Sequence, residues 1–491
     1  MDVILSIDQS TSGTKGLVWD CSGKLLSRED IPHRQITDRQ GWVAHDPMEI
    51  LENTVKAAQK ALTAGSIDPG RVRVIGLSNQ RETALCWDRV TGQPLYNAIV
   101  WQCPRGAEIT HEIEELGKAE SIREITGLAL SPYFSAAKYA WILRHVPAAA
   151  KAAKAGTLCC GTVDSWLVYK LTGCFKTDYS NASRTQLLNL DRLDWDPSMT
   201  RLFGIPPNSL PELCDSDSLF GCTDLHGLLP APVPIHGVLG DSHAALFGNQ
   251  CQQPYTAKVT YGTGSSVMMN VGKQRPKSPR QGIVTSLAWR MEGQTVYALE
   301  GNINYTGAVT KWMAEEIGLL PDAKSAGDVA QSVPDTGGVY LIPAFSGLGA
   351  PYFNDRVRAA FLGMNRGTKA PHLVRAGEEC IAYQIRDVVE MMNQSSPKPL
   401  TRLCADGGPT RDNFLMQFQA DLLDLPLTIN AVEELSGMGA AYCAAIAAGI
   451  ADKGTLFHGQ ESRRVTPQMS SDQRKKYYDG WKAALAVING R

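Results

Sequence analysis

The sequence predicts an α/β protein of two large lobes, and three observations carry that expectation. Short apolar runs with strand character alternate with helical periodicities along the chain. A strand, polar turn, strand texture occurs near the start and recurs in the second half. The chain has 491 residues, too many for one small core where domains hold about 100 to 200 residues each. In order, residues 3–7 read as a strand, Asp8-Gln9-Ser10-Thr11-Ser12-Gly13-Thr14-Lys15 as a polar turn, and residues 16–19 as a returning strand closed by Cys21-Ser22-Gly23-Lys24. Residues 48–62 read as a helix, 71–77 as a strand, 135–145 as a helix, and 233–239 as a strand running into Gly240-Asp241. Residues 257–261, the turn Gly262-Thr263-Gly264-Ser265-Ser266 and residues 267–271 repeat the opening texture. Residues 206–234 are rich in Pro, Asp, Ser and Gly, and the expected boundary lies just beyond them, giving lobes 1–246 and 247–491.

Composition narrows the functional classes. Hydrophobic residues at 43% and charged residues at 20% are ordinary for a folded protein with a sizeable core. Lys plus Arg number 48 against 50 Asp plus Glu, so there is no global basic field and no nucleic-acid partner is expected. The longest uncharged stretch near the C-terminus, residues 435–451, contains Gly437, Gly439 and Gly449 and is shorter than the roughly 20 residues of a membrane span. It reads as a buried helix, without membrane insertion. The first residues lack a basic leader and read as a core strand, so a cytoplasmic location is expected. The 12 cysteines form no C-x-x-C and are expected to be reduced, small apolar residues.

Familiar nucleotide and metal signatures are missing. Gly23-Lys24, Gly117-Lys118 and Gly272-Lys273 do not fit a P-loop, Gly262-x-Gly264 lacks the third glycine of a dinucleotide fingerprint, and His111-Glu112 lacks the second histidine of a zinc-protease helix. Other strand ends carry chemistry. The turn from Asp8 to Lys15 offers hydroxyls, backbone N–H groups, a cation for phosphate and a carboxylate that can hold Mg²⁺ through water; an ordinary hairpin turn is the competing account. The turn at Gly262 strengthens the phosphate reading, since two such turns could grip one polyphosphate from opposite sides. Arg81 and Glu82 after a strand suit neighbouring hydroxyls, or form a simple ion pair. Trp101 either belongs to a core or lays its face against a carbon chain. Asp241 either caps a helix or acts as general base towards an attacking hydroxyl, as phosphoryl transfer requires. Asp406-Gly407-Gly408 lets a base or ribose approach the backbone, as any tight turn would.

Taken jointly, these segments resemble the FGGY family of carbohydrate kinases, most closely its glycerol-phosphorylating members. The resemblance runs through Asp8-Gln9-Ser10-Thr11, Gly41-Trp42-Val43-Ala44-His45-Asp46-Pro47, Asn79-Gln80-Arg81-Glu82-Thr83, Tyr96-Asn97-Ala98-Ile99-Val100-Trp101-Gln102 and Pro132-Tyr133-Phe134-Ser135. It continues through Gly240-Asp241, Ala244-Ala245-Leu246-Phe247-Gly248, Thr260-Tyr261-Gly262-Thr263-Gly264, Gly347-Leu348-Gly349-Ala350-Pro351-Tyr352, Asp406-Gly407-Gly408 and Asn413-Phe414-Leu415-Met416-Gln417-Phe418-Gln419. It implies two actin- and hexokinase-like (ribonuclease H-like) lobes with a deep cleft, and ATP and Mg²⁺ as cofactors. It also implies roles: Asp241 as base, Asp8 and Asp241 on the metal, and Thr11, Ser12, Lys15, Thr263, Gly307, Lys311, Gly408 and Asp412 around the nucleotide. Arg81, Glu82, Trp101, Tyr133, Asp241, Ser242 and Ser266 would line the polyol, and a homodimer or homotetramer is the implied assembly.

Four departures concern ligand contacts. Ser242 stands where the glycerol-phosphorylating members have Gln, and Ser266 where they have Phe, so the pocket is expected to be roomier and wetter. Cys103-Pro104-Arg105-Gly106 replaces paired arginines, and Asp412 replaces an Asn near the adenine. The expected activity is ATP-dependent phosphorylation of a terminal hydroxyl of a small polyol such as glycerol. A kinase for a larger polyol or ketose, such as erythritol or xylulose, is the nearest alternative. A non-catalytic sugar sensor or an actin-like ATPase is the alternative of another class.

Overall fold

A computed structural model describes residues 2–277, 279–458 and 462–490. Two mixed sheets organise it. The first contains β1 (Val3–Gln9), β2 (Gly13–Asp20), β3 (Leu25–Pro32), β4 (Val72–Asn79), β5 (Gly221–Thr223) and β6 (Val233–Gly240), in the spatial order β5-β6-β4-β1-β2-β3. The second contains β7 (Thr256–Tyr261), β8 (Ser265–Gly272), β9 (Val284–Met291), β10 (Gln294–Ile303), β11 (Arg402–Asp406), β12 (Leu427–Asn430) and β13 (Ser462–Val465), in the order β9-β10-β8-β7-β11-β12-β13. The strand pattern repeats. β1 pairs antiparallel with β2 and parallel with β4, and β4 parallel with β6; β7 pairs antiparallel with β8 and parallel with β11, and β11 parallel with β12. The duplicated texture of the sequence is thus a duplicated sheet.

Four helices tie the sheets to the site. The helix α1 (Pro47–Ala64) starts at Asp46, whose carboxylate accepts from the Met48 N–H, with Pro47 in the first turn where its missing N–H costs nothing. It packs on β2 and β3. The short helix α2 (Asp241–Gly248) continues directly from β6, so residue 246 lies inside it. The long helix α3 (Ala370–Ser395) packs beside β8 and β10, and α4 (Leu435–Ala447) follows β12. Although it comes from the end of the chain, α4 lies on β1, β4 and β6 of the first sheet and crosses α2. The crossing is close because of glycine: a Cβ at Gly439 would stand 1.9 Å from the Ala244 carbonyl oxygen.

The core around this crossing draws on both sheets. Ile4, Leu17, Trp19, Val74 and Leu239 meet Met268, Ala298 and Cys404 across Leu246, Phe247, Met438 and Ala441. Burial of such side chains contributes about 1.5–3 kcal/mol for each large one, enough to make the crossing a structural centre. All twelve cysteines are free thiols. Among the described residues no helix is long and apolar enough to cross a membrane.

Candidate active site

The first expected phosphate turn joins β1 to β2. The Ser10 N–H closes it on the Gly13 carbonyl at 2.8 Å. Its carbonyls are held from behind: Ser10 by the Gln9 and Gln80 amides, Thr11 by the Gln35 amide and Ser12 by the His33 N–H. In planar trans peptides the following N–H points the opposite way, so Thr11 and Ser12 present theirs away from those acceptors. Asp8 faces Lys15 across the strands. Its side chain is 7% exposed, accepts the Ser78 hydroxyl at 2.5 Å and lies 3.7 Å from the Lys15 ammonium. Desolvation raises the Asp8 carboxyl above its usual range against the pull of Lys15, with Asp241 and Glu434 adding to the rise. Lys15 is also bound to Glu434 at 2.7 Å; burial opposes its charge, but Asp8 and Glu434 outweigh it and hold the ammonium above its ordinary range.

The second turn, between β7 and β8, rests on the start of a helix, Gly307–Glu315. The N–H of Gly307 binds the Gly262 carbonyl, and those of Thr306 and Ala308 the Thr263 carbonyl, each at 3.0 Å. A Cβ at Gly307 would lie 2.5 Å from the Gly262 oxygen. After β11, Gly407 adopts φ 97°, and a Cβ there would meet the Tyr261 oxygen at 2.0 Å, so only glycine fits. Gly408 is exposed with nothing within 4 Å of where its Cβ would stand, which leaves room for a ligand. Two residues expected on the nucleotide side make other contacts. Asp412 caps the helix Asn413–Leu423 through the Leu415 N–H, and Lys311 is exposed, 3.6 Å from Glu315. Burial raises the Asp412 carboxyl.

On the other side a buried charge cluster forms. Glu82 sits at φ 60°, with the Thr83 N–H bound to the Arg81 carbonyl at 2.7 Å, a three-residue turn of the strained kind. This turn sends Arg81 and Glu82 to different partners. Arg81 forks onto Glu300 at 2.9 and 3.1 Å and turns its Nε to Asp241 Oδ1 at 3.1 Å. Arg184 donates its Nε–H to Glu82 at 2.5 Å and sets its Nη1 2.8 Å from Glu300 as an ion pair without hydrogen-bond geometry, and the Ser266 hydroxyl donates to Glu300 at 3.1 Å. Desolvation works against the Glu300 charge, yet Arg184 and Arg81 overcome it and hold the carboxyl far below the usual range.

Asp241 is the first residue of α2, and the cap position belongs to Gly240. Its Oδ1 accepts the Ser242 N–H at 2.6 Å and faces Arg81, while no hydrogen bond from a described residue reaches Oδ2. The side chain is 34% exposed, unlike the cluster behind it. Trp101 and Tyr133 form an adjacent wall, their rings 5.4 Å apart, and the Trp101 indole N–H donates to the Thr11 hydroxyl at 2.8 Å. That bond joins this aromatic wall to the turn between β1 and β2. Desolvation also keeps the Tyr133 phenol protonated, well above its usual range.

The fold therefore gathers Asp8, Thr11, Lys15, Arg81, Glu82, Trp101, Tyr133, Asp241 and Ser266 into one linked region, and Thr263, Gly307 and Gly408 into a second. Sequence reasoning missed Glu300 and Arg184. Glu300 left one signal, a lone charge within the apolar run of β10; Arg184 left none.

Comparison with known proteins identifies the family. The model of the FGGY family of carbohydrate kinases, N-terminal domain, matches residues 3–248, and that of its C-terminal domain matches residues 257–448. The chain belongs to the FGGY family of carbohydrate kinases. It is 46% identical over 489 residues to glycerol kinase 1 of Thermotoga maritima, covering 99% of each chain. It is 43% identical to glycerol kinase of Alkaliphilus oremlandii over 98% of this chain and 96% of that one. Among solved structures, Plasmodium falciparum glycerol kinase with ADP superposes with a TM-score of 0.94 at 32% identity, over 99% of this chain and 98% of that one. The protein is an ATP-dependent kinase with the two-lobed actin- and hexokinase-like fold of this family, whose members use ATP with Mg²⁺.

The donor set fits these cofactors. Mg²⁺ binds through one or two carboxylates, waters and substrate phosphates, not through an all-protein cage. The desolvated Asp8 carboxylate and the partly open Asp241 match that requirement, and Gly408 leaves backbone open to a nucleotide.

Proposed function

We propose that the protein transfers the γ-phosphoryl group of ATP to a terminal hydroxyl of a small polyol, with glycerol as the first candidate. The observation that carries this reading is the asymmetry of Asp241, with Oδ1 anchored by Ser242 and Arg81 and Oδ2 unengaged. A terminal hydroxyl placed against Oδ2 passes its proton there as its oxygen attacks the γ-phosphorus and ADP departs. Arg81, Glu82, Trp101 and Tyr133 hold the remaining hydroxyls and carbons, with Ser242 and Ser266 beside them. Thr11, Ser12 and Lys15 face the phosphates from one turn and Thr263 from the other, with Gly307, Lys311, Gly408 and Asp412 towards the nucleoside. When bound at Asp8 and Asp241, Mg²⁺ supplies neutralisation of the phosphate charge. In this reading residues 1–246 carry the polyol contacts and the first phosphate turn, and residues 247–491 the nucleotide side.

Asp241→Asn is expected to keep the fold and lower kcat by at least about a hundredfold, within the range of general-base contributions. Near-wild-type turnover at saturating substrates would remove the base assignment. A second reading, a longer polyol or ketose, rests on Ser266, which is partly exposed, and on the hydroxyl it contributes beside Glu300. ADP release across glycerol, erythritol and xylulose separates the two readings: the highest kcat/KM on glycerol retains the first. A cytoplasmic setting suits the free cysteines. A homodimer or homotetramer, carried over from the family resemblance, is checked by light scattering.

A further inference from the structure

We propose that Glu300 is a positioning residue of this site: it keeps the Arg81 fork away from Asp241 and so leaves Oδ2 free. The inference rests on the reading of Asp241 as the base. A guanidinium prefers to bind a carboxylate with two parallel N–H bonds, and two carboxylates compete for the fork of Arg81. Glu300 takes it through both terminal nitrogens, leaving Asp241 the Nε edge at 3.1 Å. Glu300 wins for three reasons. Its side chain is fully buried, against 34% exposure for Asp241, so water competes less for its charge. The Arg184 guanidinium stands 2.8 Å from its second oxygen as an ion pair, and the Ser266 hydroxyl donates to its first at 3.1 Å. Arg184 is itself fixed by Glu82 at 2.5 Å.

The four buried groups Arg81, Arg184, Glu82 and Glu300 carry two positive and two negative charges, and they close on one another. Asp241 lies outside this balance and keeps one oxygen unengaged. The arrangement also spans the two sheets: Glu300 and Ser266 stand on β10 and β8 of the second, while Arg81 follows β4 of the first. The pose of Arg81 therefore depends on the second sheet, although its sequence neighbours all belong to the first.

Glu300→Gln releases the fork, which then takes both oxygens of Asp241. The expected result is a kcat roughly a hundredfold lower with KM for ATP unchanged, and a crystal structure with Arg81 bound to both oxygens of Asp241. In an Arg81→Gln background, which lacks the fork, adding Glu300→Gln is expected to lower kcat no further. Multiplicative losses in the double variant, or wild-type kcat in the single one, would overturn the proposal. Should Glu300→Gln fail to fold, Glu300→Asp retains the charge but shortens the reach; its loss of kcat, expected to be several-fold, must likewise vanish in the Arg81→Gln background. Failure of the base reading is separate, since it shows as retained turnover in Asp241→Asn.

Discussion

Lys138 shows how much one buried side chain can report. It is fully buried in the first turn of the helix Ser135–His145, where its ammonium donates to the carbonyls of Tyr133 and Phe134. No carboxylate among the described residues forms an ion pair with it, and desolvation pushes its pKa down to about 7. In the unfolded chain a lysine titrates near ~10.4. Between these values the unfolded state holds a proton that the folded state has lost, so stability rises with pH. The contribution is complete above the unfolded value and is lost as pH falls towards 7. Urea midpoints of wild type and Lys138→Met should therefore diverge in favour of wild type from pH 7 to pH 10 and run parallel below pH 7. A constant difference across the whole range would mean that Lys138 stays charged in the fold. Legibility at this scale was uneven for a physical reason. Asp8, Arg81 and Asp241 stand at strand ends, which a sequence marks by an apolar run meeting a polar turn. Glu300 and Arg184 act through partners 219 and 102 positions away, and no local pattern encodes such a contact. Asp412 is expected near the adenine because its neighbours match the family, and its second task as a helix cap through the Leu415 N–H shows only in the structure.

Helix α4 carries the same lesson at the scale of an element. Its apolar, uncharged composition identifies a buried helix, and the structure has one over Leu435–Ala447. What it is buried against was not legible, because its partners on β1, β4, β6 and α2 come from the first half of the chain. The glycines mark those contacts. Gly439 admits the Ala244 carbonyl, and Gly76 on β4 admits the Ala440 carbonyl, where a Cβ would stand 2.4 Å from the oxygen. In both cases the obstructing atom is backbone, which cannot rotate aside. Gly439→Ala must therefore push α4 off α2, at a cost of about 1–3 kcal/mol for overpacking. Because α2 begins with Asp241 and α4 follows directly on Glu434, the partner of Lys15, kcat is expected to fall along with the melting temperature. A Gly439→Ala protein that melts and turns over like wild type would show that the crossing has slack.

For the molecule as a whole, the two sheets repeat one strand pattern, but the first half of the sequence does not close its own core. The faces of β1, β2, β4 and β6 that bear Ile4, Leu17, Trp19, Val74 and Leu239 are covered partly by α4, supplied by the other half. At about 1.5–3 kcal/mol for each large apolar side chain, uncovering these five forfeits on the order of 10 kcal/mol. That is comparable with the ~5–15 kcal/mol net stability of an ordinary domain. Residues 1–248 expressed alone should therefore be compact but loosely packed, with secondary structure in the far-ultraviolet, no near-ultraviolet signal from Trp19 and strong binding of a hydrophobic dye. Fusing residues 433–450 to that fragment through a flexible linker restores the missing cover, and with it the near-ultraviolet signal and a cooperative melt. A fragment 1–248 that melts cooperatively without the added helix would show that the first sheet closes by itself, and the crossing of α2 and α4 would then join two finished lobes instead of completing one.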